Sequence, residues 1–96
     1  MLQFVVIAKD GTDPEAMERR MAARPGHLDG ARNLKETNNY IVGGATLDKD
    51  GKMNGSVMIV QFESEQGLKE WLDNDPYIRG NVWQEIEVKP FKVADV

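Results

Sequence analysis

Two short stretches of the chain carry the side chains best suited to acid–base chemistry. The first, Ala23 to Leu28, contains His27, which is the only histidine of the protein. The second, Asp73 to Gly80, contains Asp75 directly before a proline. A histidine can gain or lose a proton near neutral pH, and a carboxylate partner orients its ring and stabilises its charged form. His27 paired with Asp75 would therefore form a general acid–base site.

Both residues also have a purely structural interpretation. Aspartate is favoured at a helix N-cap and proline at the first helical position, so Asp75 and Pro76 predict a short helix that Gly80 can close. On local signals capping is the commoner role, but it is compatible with pairing because a carboxylate has several lone pairs. A lone histidine with a distant aspartate is a weak pattern, and His27 could equally be a surface or capping residue.

Four further side chains are candidates for substrate contact. Arg24 could hold an anionic group by a bidentate contact, although an exposed helix arginine is the commoner case. Ser56 could donate to a ligand, although simple pairing at the start of a strand is favoured. The chain has the serine, histidine and aspartate of a Ser–His–Asp hydrolase. The sequence gives this class no further support, because no Gly-x-Ser-x-Gly turn surrounds Ser56. Tyr77 and Trp83 could line a pocket or pack in the core.

The composition excludes several classes of function. The chain has 96 residues, which is enough for one domain, 1–96, and too few for two. A net charge of −4 argues against a nucleic-acid surface. The absence of cysteine excludes disulfides and thiolate chemistry and permits a reducing cytoplasm, where we expect the protein.

The motifs give no sign of a cofactor or a membrane. One histidine cannot supply a His-based metal triad, and no phosphate-binding or dinucleotide-binding glycine loop is present. The apolar opening residues are too short to span a bilayer and lack the basic start of a signal peptide. We therefore expect no metal, no cofactor, no nucleic acid and no membrane partner.

The elements that must position these side chains follow the order β-α-β-β-α-β. The strands are predicted at 2–8, 40–47, 55–62 and 82–88. A first helix is predicted with Asp13 at its N-cap and a kink or break near Pro25, which would place His27 in the first turn after the break. Ser64 caps a second helix. This order predicts an α+β, ferredoxin-like fold with a four-stranded antiparallel sheet.

Two strands show apolar residues on both faces. In the first strand Phe4 and Val6 alternate with Val5 and Ile7, and the third strand follows the same pattern. A sheet with one wet face should alternate apolar with polar residues instead. Two helices can cover only one face, so we expect a second subunit to cover the other and form a homodimer.

The whole chain resembles the YCII-related family. The matching segments, in order, are Ala8-x-Asp10, Arg24-Pro25-x-His27-Leu28, Gly43-Gly44, Gly55-Ser56, Phe62-Glu63-Ser64, Asp73-x-Asp75-Pro76-Tyr77 and Val88-Lys89-Pro90-Phe91. No single segment decides the match, but their order and spacing are together fairly specific.

The resemblance implies a dimeric α+β barrel in which two such sheets pack face to face. It also implies an active site centred on His27 and Asp75, with further pocket residues at Arg24, Gly44, Ser56 and Tyr77. The implied function is an enzyme that uses the pair for elimination, hydrolysis or isomerisation of a small cyclic or aromatic molecule without a redox cofactor. The alternative is a non-catalytic dimeric protein that binds a small ligand in the same pocket.

Overall fold

Helices cover one face of a single antiparallel sheet in the computed structural model, which spans residues 1–96. The elements are β1 (Leu2–Asp10), α1 (Ala16–Glu36), β2 (Tyr40–Leu47), β3 (Met53–Phe62), α2 (Glu65–Asn74), α3 (Pro76–Arg79) and β4 (Trp83–Phe91). The strands lie in the order β2-β3-β1-β4, so β1 and β3 occupy the centre. The predicted ferredoxin-like arrangement is confirmed.

The core lies between the helices and one set of alternating side chains on the two central strands. Phe4 pairs with Val60 and Val6 with Met58 in the antiparallel register of β1 and β3. All four are at most 4% exposed. Burying each such side chain stabilises the fold by about 1.5–3 kcal/mol as an upper estimate.

The opposite face of the sheet is covered by no element of this chain. Its central residues pair across β1 and β3 as Val5 with Ile59 and Ile7 with Val57, and all four are only half-buried. Val42 of β2 lies opposite Ile59 and is 57% exposed. The chain itself therefore supplies no cover for this face.

Helix α1 does not break at Pro25. It runs without interruption for 21 residues, and His27 lies in its middle rather than in a first turn. Of the predicted kink or break, the break is wrong, because losing the Pro25 N–H removes only the helical bond to the Met21 carbonyl. The continuous helix keeps its phase, so residues before and after the proline share a face.

Two of the three N-cap residues that the sequence predicted are the N-caps in the structure. Ser64 caps α2 by accepting from the backbone N–H of Gly67 at 3.2 Å. Asp75 caps α3, as predicted. Asp13, however, is not the N-cap of α1; its carboxylate instead binds the Arg19 guanidinium at 2.7 and 2.8 Å. These hydrogen bonds from Arg19 hold the pKa of the Asp13 carboxyl well below its usual range.

Candidate active site

Close packing between α1 and α3 brings the two predicted acid–base residues together. Gly26 of α1 faces the Pro76 ring, and a Cβ at Gly26 would lie 3.2 Å from Pro76 Cγ. A side chain at Gly26 would therefore make the Pro76 ring move by a few tenths of an ångström. Pro76 directly follows Asp75 and Gly26 directly precedes His27, so this close contact lies beside the pair.

The His27 imidazole and the Asp75 carboxylate form a buried hydrogen-bonded pair. Nδ1 of His27 lies 2.9 Å from Oδ2 and 3.1 Å from Oδ1 of Asp75. The side chains are 10% and 2% exposed, respectively. Oδ2 also accepts from the backbone N–H of Tyr77 at 2.9 Å. One carboxylate therefore caps α3 and binds the histidine, so the two interpretations of Asp75 coexist in this geometry.

The hydrogen bonds define which imidazole nitrogen is free. A carboxylate only accepts, so Nδ1 of His27 carries the hydrogen that points to Asp75, and Nε2 is unprotonated in the neutral ring. Nε2 makes no hydrogen bond within the chain, and the one fully buried side-chain nitrogen without a partner is Nε of Arg20. Nε2 is therefore not fully buried, and the His27 side chain lines the pocket. This nitrogen can accept a proton from a bound molecule.

Two aromatic rings hold the imidazole in place. Tyr77 stacks on His27 with ring centroids 3.9 Å apart and planes 13° from parallel. Trp83 meets His27 edge-on at 5.5 Å. Burial raises the pKa of the Tyr77 hydroxyl, although the positive charges of Arg20 and Arg24 act in the opposite direction. Tyr77 therefore presents a neutral ring and hydroxyl at neutral pH.

The pocket lies between α1 and the β2–β3 side of the sheet and has a volume of about 90 Å³. It is open to solvent on one side. Its lining includes five predicted site residues, namely Arg24, His27, Gly44, Ser56 and Tyr77. Asp75 and Trp83 do not line it, and Trp83 lies in the core. Arg24 is half-buried and makes no hydrogen bond or ion pair within the chain, so its charge is available to an anionic ligand.

The sequence interpretation missed a second buried ion pair beside the pocket. Nη1 of Arg20 lies 3.0 and 2.9 Å from the two Asp10 oxygens, and both side chains are at most 5% exposed. The signal was present in the spacing, since Arg20, Arg24 and His27 stand at i, i+4 and i+7 and share one helix face. Assuming a break at Pro25 concealed this relationship.

The two adjacent glycines of β2 differ in their surroundings. A Cβ at Gly43 would lie 3.0 Å from both Met58 Cγ and the Tyr40 hydroxyl, so this position has no room for a side chain. A Cβ at Gly44 would meet nothing within 4 Å, although Gly44 lines the pocket. Gly43 is therefore the glycine that the local packing requires, whereas the resemblance implied a pocket role for Gly44.

Ser56 lies at the floor of the pocket, between Ala8 and Ala45 on the neighbouring strands. It is 3% exposed, and its hydroxyl is hydrogen-bonded to Arg20 and Trp83 rather than to His27. A Ser–His–Asp nucleophile is therefore not assembled here.

No cluster of three or more His, Asp or Glu side chains is arranged around a metal-sized site. None of the helices combines the length and apolarity that crossing a bilayer requires.

Comparison with known proteins decides the family. The model of the YCII-related domain matches residues 2–92. The chain belongs to this family. It is 32% identical to protein YciI of Escherichia coli over 93% of this chain and 95% of that protein. It is 33% identical to an uncharacterised protein of Haemophilus influenzae over 95% of this chain and 97% of the relative.

Two solved structures share the fold of this YCII-related protein. The 5-chloro-2-hydroxyhydroquinone dehydrochlorinase of Burkholderia phenoliruptrix, in complex with 2,5-dihydroxybenzoquinone, superposes with a TM-score of 0.81 at 27% identity, covering 96% of this chain and 95% of that chain. A dimeric ferredoxin-like protein from Jannaschia superposes with a TM-score of 0.56 at 16% identity, covering 97% and 100% of the two chains. The second likeness describes the fold alone.

Proposed function

We propose that this protein is a small-molecule enzyme that transfers a proton to or from a hydroxylated aromatic or quinoid ring, with His27 as the acid–base residue. The observation that carries the proposal is the orientation of the imidazole. Its Nδ1 is bound to Asp75 at 2.9 Å, and its unpartnered Nε2 belongs to a side chain that lines a pocket. A positioned base at the wall of a pocket is the arrangement that general acid–base catalysis requires.

The pocket suits a single ring that carries negative charge. An apolar cavity of about 150 Å³ holds benzene, so a pocket of about 90 Å³ with an open mouth takes one ring that reaches into the opening. Arg24 supplies a cation without a partner in the chain, and guanidinium groups bind oxyanions by charge-assisted hydrogen bonds. The ring would therefore bind with an anionic oxygen towards Arg24.

Elimination of a halide is the reaction that we propose for this site. One ring hydroxyl first gives its proton to the ring carbon that bears the halogen, which forms a carbonyl and a C–H bond at that carbon. A second ring hydroxyl then gives its proton to Nε2 of His27, its oxygen becomes the second carbonyl, and the halide leaves with the electron pair of the carbon–halogen bond. The products are a quinone and the hydrogen halide, so atoms and electrons balance without an external oxidant or reductant. Asp75 stabilises the imidazolium that forms. No redox cofactor is needed for this chemistry.

The similarity to the dehydrochlorinase supports elimination over hydrolysis or isomerisation. That enzyme is named for loss of hydrogen chloride from a chlorinated hydroxyhydroquinone, and its bound molecule is a dihydroxylated quinone. At 27% identity over nearly the whole of both chains, the likeness extends beyond a shared fold. The substrate class that we propose is therefore a halogenated, multiply hydroxylated ring.

We also propose that the working unit is a homodimer formed through the uncovered sheet face. The half-buried central residues Val5, Ile7, Val57 and Ile59 form an apolar surface that water would otherwise contact. Exposed apolar patches of this kind mark interaction sites, and obligate homodimers commonly bury about 2,000 Å² or more. The pocket lies on the opposite, helix-covered side of the sheet, so the dimer would leave its mouth open.

The test of the enzyme proposal is an assay for halide release. The protein is incubated with 5-chloro-2-hydroxyhydroquinone and other halogenated hydroxylated rings while free halide is recorded with an ion-selective electrode, and binding is measured in parallel by calorimetry. We expect halide release above the rate in buffer. Binding without halide release across the series would instead favour the non-catalytic ligand-binding function.

A further inference from the structure

The hydroxyl oxygen of Ser56 receives two hydrogen bonds. Nη2 of Arg20 donates to it at 3.2 Å, and Nε1 of Trp83 donates to it at 3.2 Å. A guanidinium and an indole have only donors and cannot accept. A serine hydroxyl has two acceptor lone pairs and one hydrogen. Both lone pairs are therefore occupied, and the hydrogen must be donated elsewhere.

No group of the chain accepts this hydrogen. Ser56 Oγ donates to no backbone carbonyl and to no side chain, and the neighbouring side chains on the sheet are the methyl groups of Ala8 and Ala45. Ser56 lines the pocket. We infer that the Ser56 hydroxyl is a fixed hydrogen-bond donor directed into the pocket, where it binds a carbonyl or phenolate oxygen of the ligand.

The surrounding groups hold this donor rigidly. Arg20 cannot rotate away from Ser56 because Asp10 binds its Nη1 through both carboxylate oxygens at 3.0 and 2.9 Å. The guanidinium also lies over the Tyr77 ring, 4.8 Å from its centroid. Trp83 is 3% exposed and packed against His27 and Tyr77. A donor fixed before the ligand arrives costs no reorganisation when it binds.

The inference rests on the proposed function and narrows its substrate class. A ring in this pocket would need at least two oxygen substituents. One would accept the hydrogen from Ser56, and another would give its proton to Nε2 of His27. Donors fixed at the position of a developing quinone oxygen would also stabilise the product-like transition state. A ring with a single hydroxyl would satisfy only one of the two contacts.

Neutron diffraction of the ligand-free protein tests the donor independently of any ligand. We expect the deuteron of the Ser56 hydroxyl to point into the pocket, towards a water oxygen. A deuteron directed at a backbone carbonyl, or at Arg20 or Trp83, would overturn the inference. Because no ring molecule is involved, this result does not depend on whether the protein acts on halogenated rings.

Ligand binding tests whether the Ser56 hydroxyl binds an oxygen of the ligand. Calorimetry would compare 2,5-dihydroxybenzoquinone with toluene, a ring that has no oxygen, on wild type, Ser56→Ala, Ser56→Cys and Ser64→Ala. Losing one hydrogen bond to an anionic oxygen should weaken quinone binding by about 10- to 100-fold in Ser56→Ala and leave toluene binding unchanged. The cysteine variant, whose thiol donates weakly, should fall between wild type and Ser56→Ala. Ser64→Ala removes a hydroxyl at the start of α2 and should bind as wild type does.

The outcomes separate the two proposals. Unchanged quinone affinity in Ser56→Ala, or an equal loss for quinone and toluene, would overturn the role of the hydroxyl. If Ser56→Ala does not fold, the comparison of Ser56→Cys with wild type decides the same question. Failure of the wild type itself to bind the quinone would contradict the proposed function, and the neutron result would then decide the direction of the Ser56 donor alone.

Discussion

Asp75 holds His27 by both of its carboxylate oxygens, at 2.9 and 3.1 Å from the same imidazole nitrogen. One of these oxygens also accepts the first free backbone N–H of α3, from Tyr77. The carboxylate that binds the histidine is thus held at the start of a helix, so the His27–Asp75 pair and the cap of α3 share a single side chain. Stability and activity should therefore respond differently to substitutions at this position.

Asp75→Asn should separate the two roles. Asparagine caps helices about as well as aspartate, so the free energy of unfolding should change by less than about 1 kcal/mol. The negative charge that stabilises the imidazolium is lost, so turnover should fall by about 10²–10⁴-fold. Urea unfolding and halide release measure the two quantities. Asp75→Ala, which also loses the cap, should be less stable by about a further 0.5–2 kcal/mol. An asparagine variant with wild-type turnover would limit Asp75 to its capping role.

Arg24→Gln should weaken the binding of anionic rings. Arg24 lines the pocket and its guanidinium has no partner in the chain, so its charge would act on a bound anion without competition. We expect the affinity for 2,5-dihydroxybenzoquinone to fall by about tenfold and its dependence on salt to decrease. Arg32→Gln is the matched control, because Arg32 is an exposed arginine of the same helix and pairs with Asp29 at 2.7 Å. Equal losses in the two variants would mean that net charge, and not the pocket, determines binding.

Ile59→Lys and Val60→Lys should have different effects on the protein. Ile59 lies on the uncovered face of the sheet, whereas Val60 is 0% exposed beneath the helices. A charge at Ile59 should therefore dissociate the proposed dimer and leave a folded monomer, and a charge at Val60 should unfold the chain. Sedimentation and circular dichroism report the two outcomes. A wild type that is monomeric at tens of micromolar would contradict the dimer.

Alkaline pH should destabilise the protein partly through Tyr77. Burial raises the pKa of this hydroxyl above its usual value of 10.0. Between that value and the raised pKa, the unfolded chain loses the proton and the folded protein keeps it, so stability falls as pH rises. Tyr77→Phe removes this contribution. From pH 9 to pH 11, the free energy of unfolding of the wild type should therefore fall relative to that of Tyr77→Phe. A difference between the two proteins that stays constant over this range would contradict the linkage.

The order of the elements could be predicted from the sequence because each helix and strand follows a local pattern, and that order indicated the ferredoxin-like sheet. Val- and Ile-rich runs marked the central strands, and Asp75-Pro76 marked the start of α3. The two-sided apolar pattern also indicated an uncovered sheet face. It could not say which of the two alternating series of side chains on the central strands faces the helices. That choice depends on where the helices pack, and the structure assigns Val60 to the core and Ile59 to the open face.

The parts of the site that could not be predicted depend on helix phase and long-range packing. Pro25 suggested a break, and only the continuous α1 places Arg20 on the same face as His27. The contact of Gly26 with Pro76 joins residues that are fifty positions apart in the sequence. The two donors to Ser56 likewise come from α1 and β4. The last two contacts leave no signature in a local stretch of sequence, because each joins residues from different elements.

The rate of chloride release from 5-chloro-2-hydroxyhydroquinone by wild type and His27→Gln tests the central claim most directly. Glutamine retains a donor for Asp75 but has no nitrogen that accepts a proton. We expect chloride release to fall by about 10²–10⁴-fold in this variant, while its binding of 2,5-dihydroxybenzoquinone is retained. Chloride release at the wild-type rate in His27→Gln would contradict the assignment of His27 as the acid–base residue.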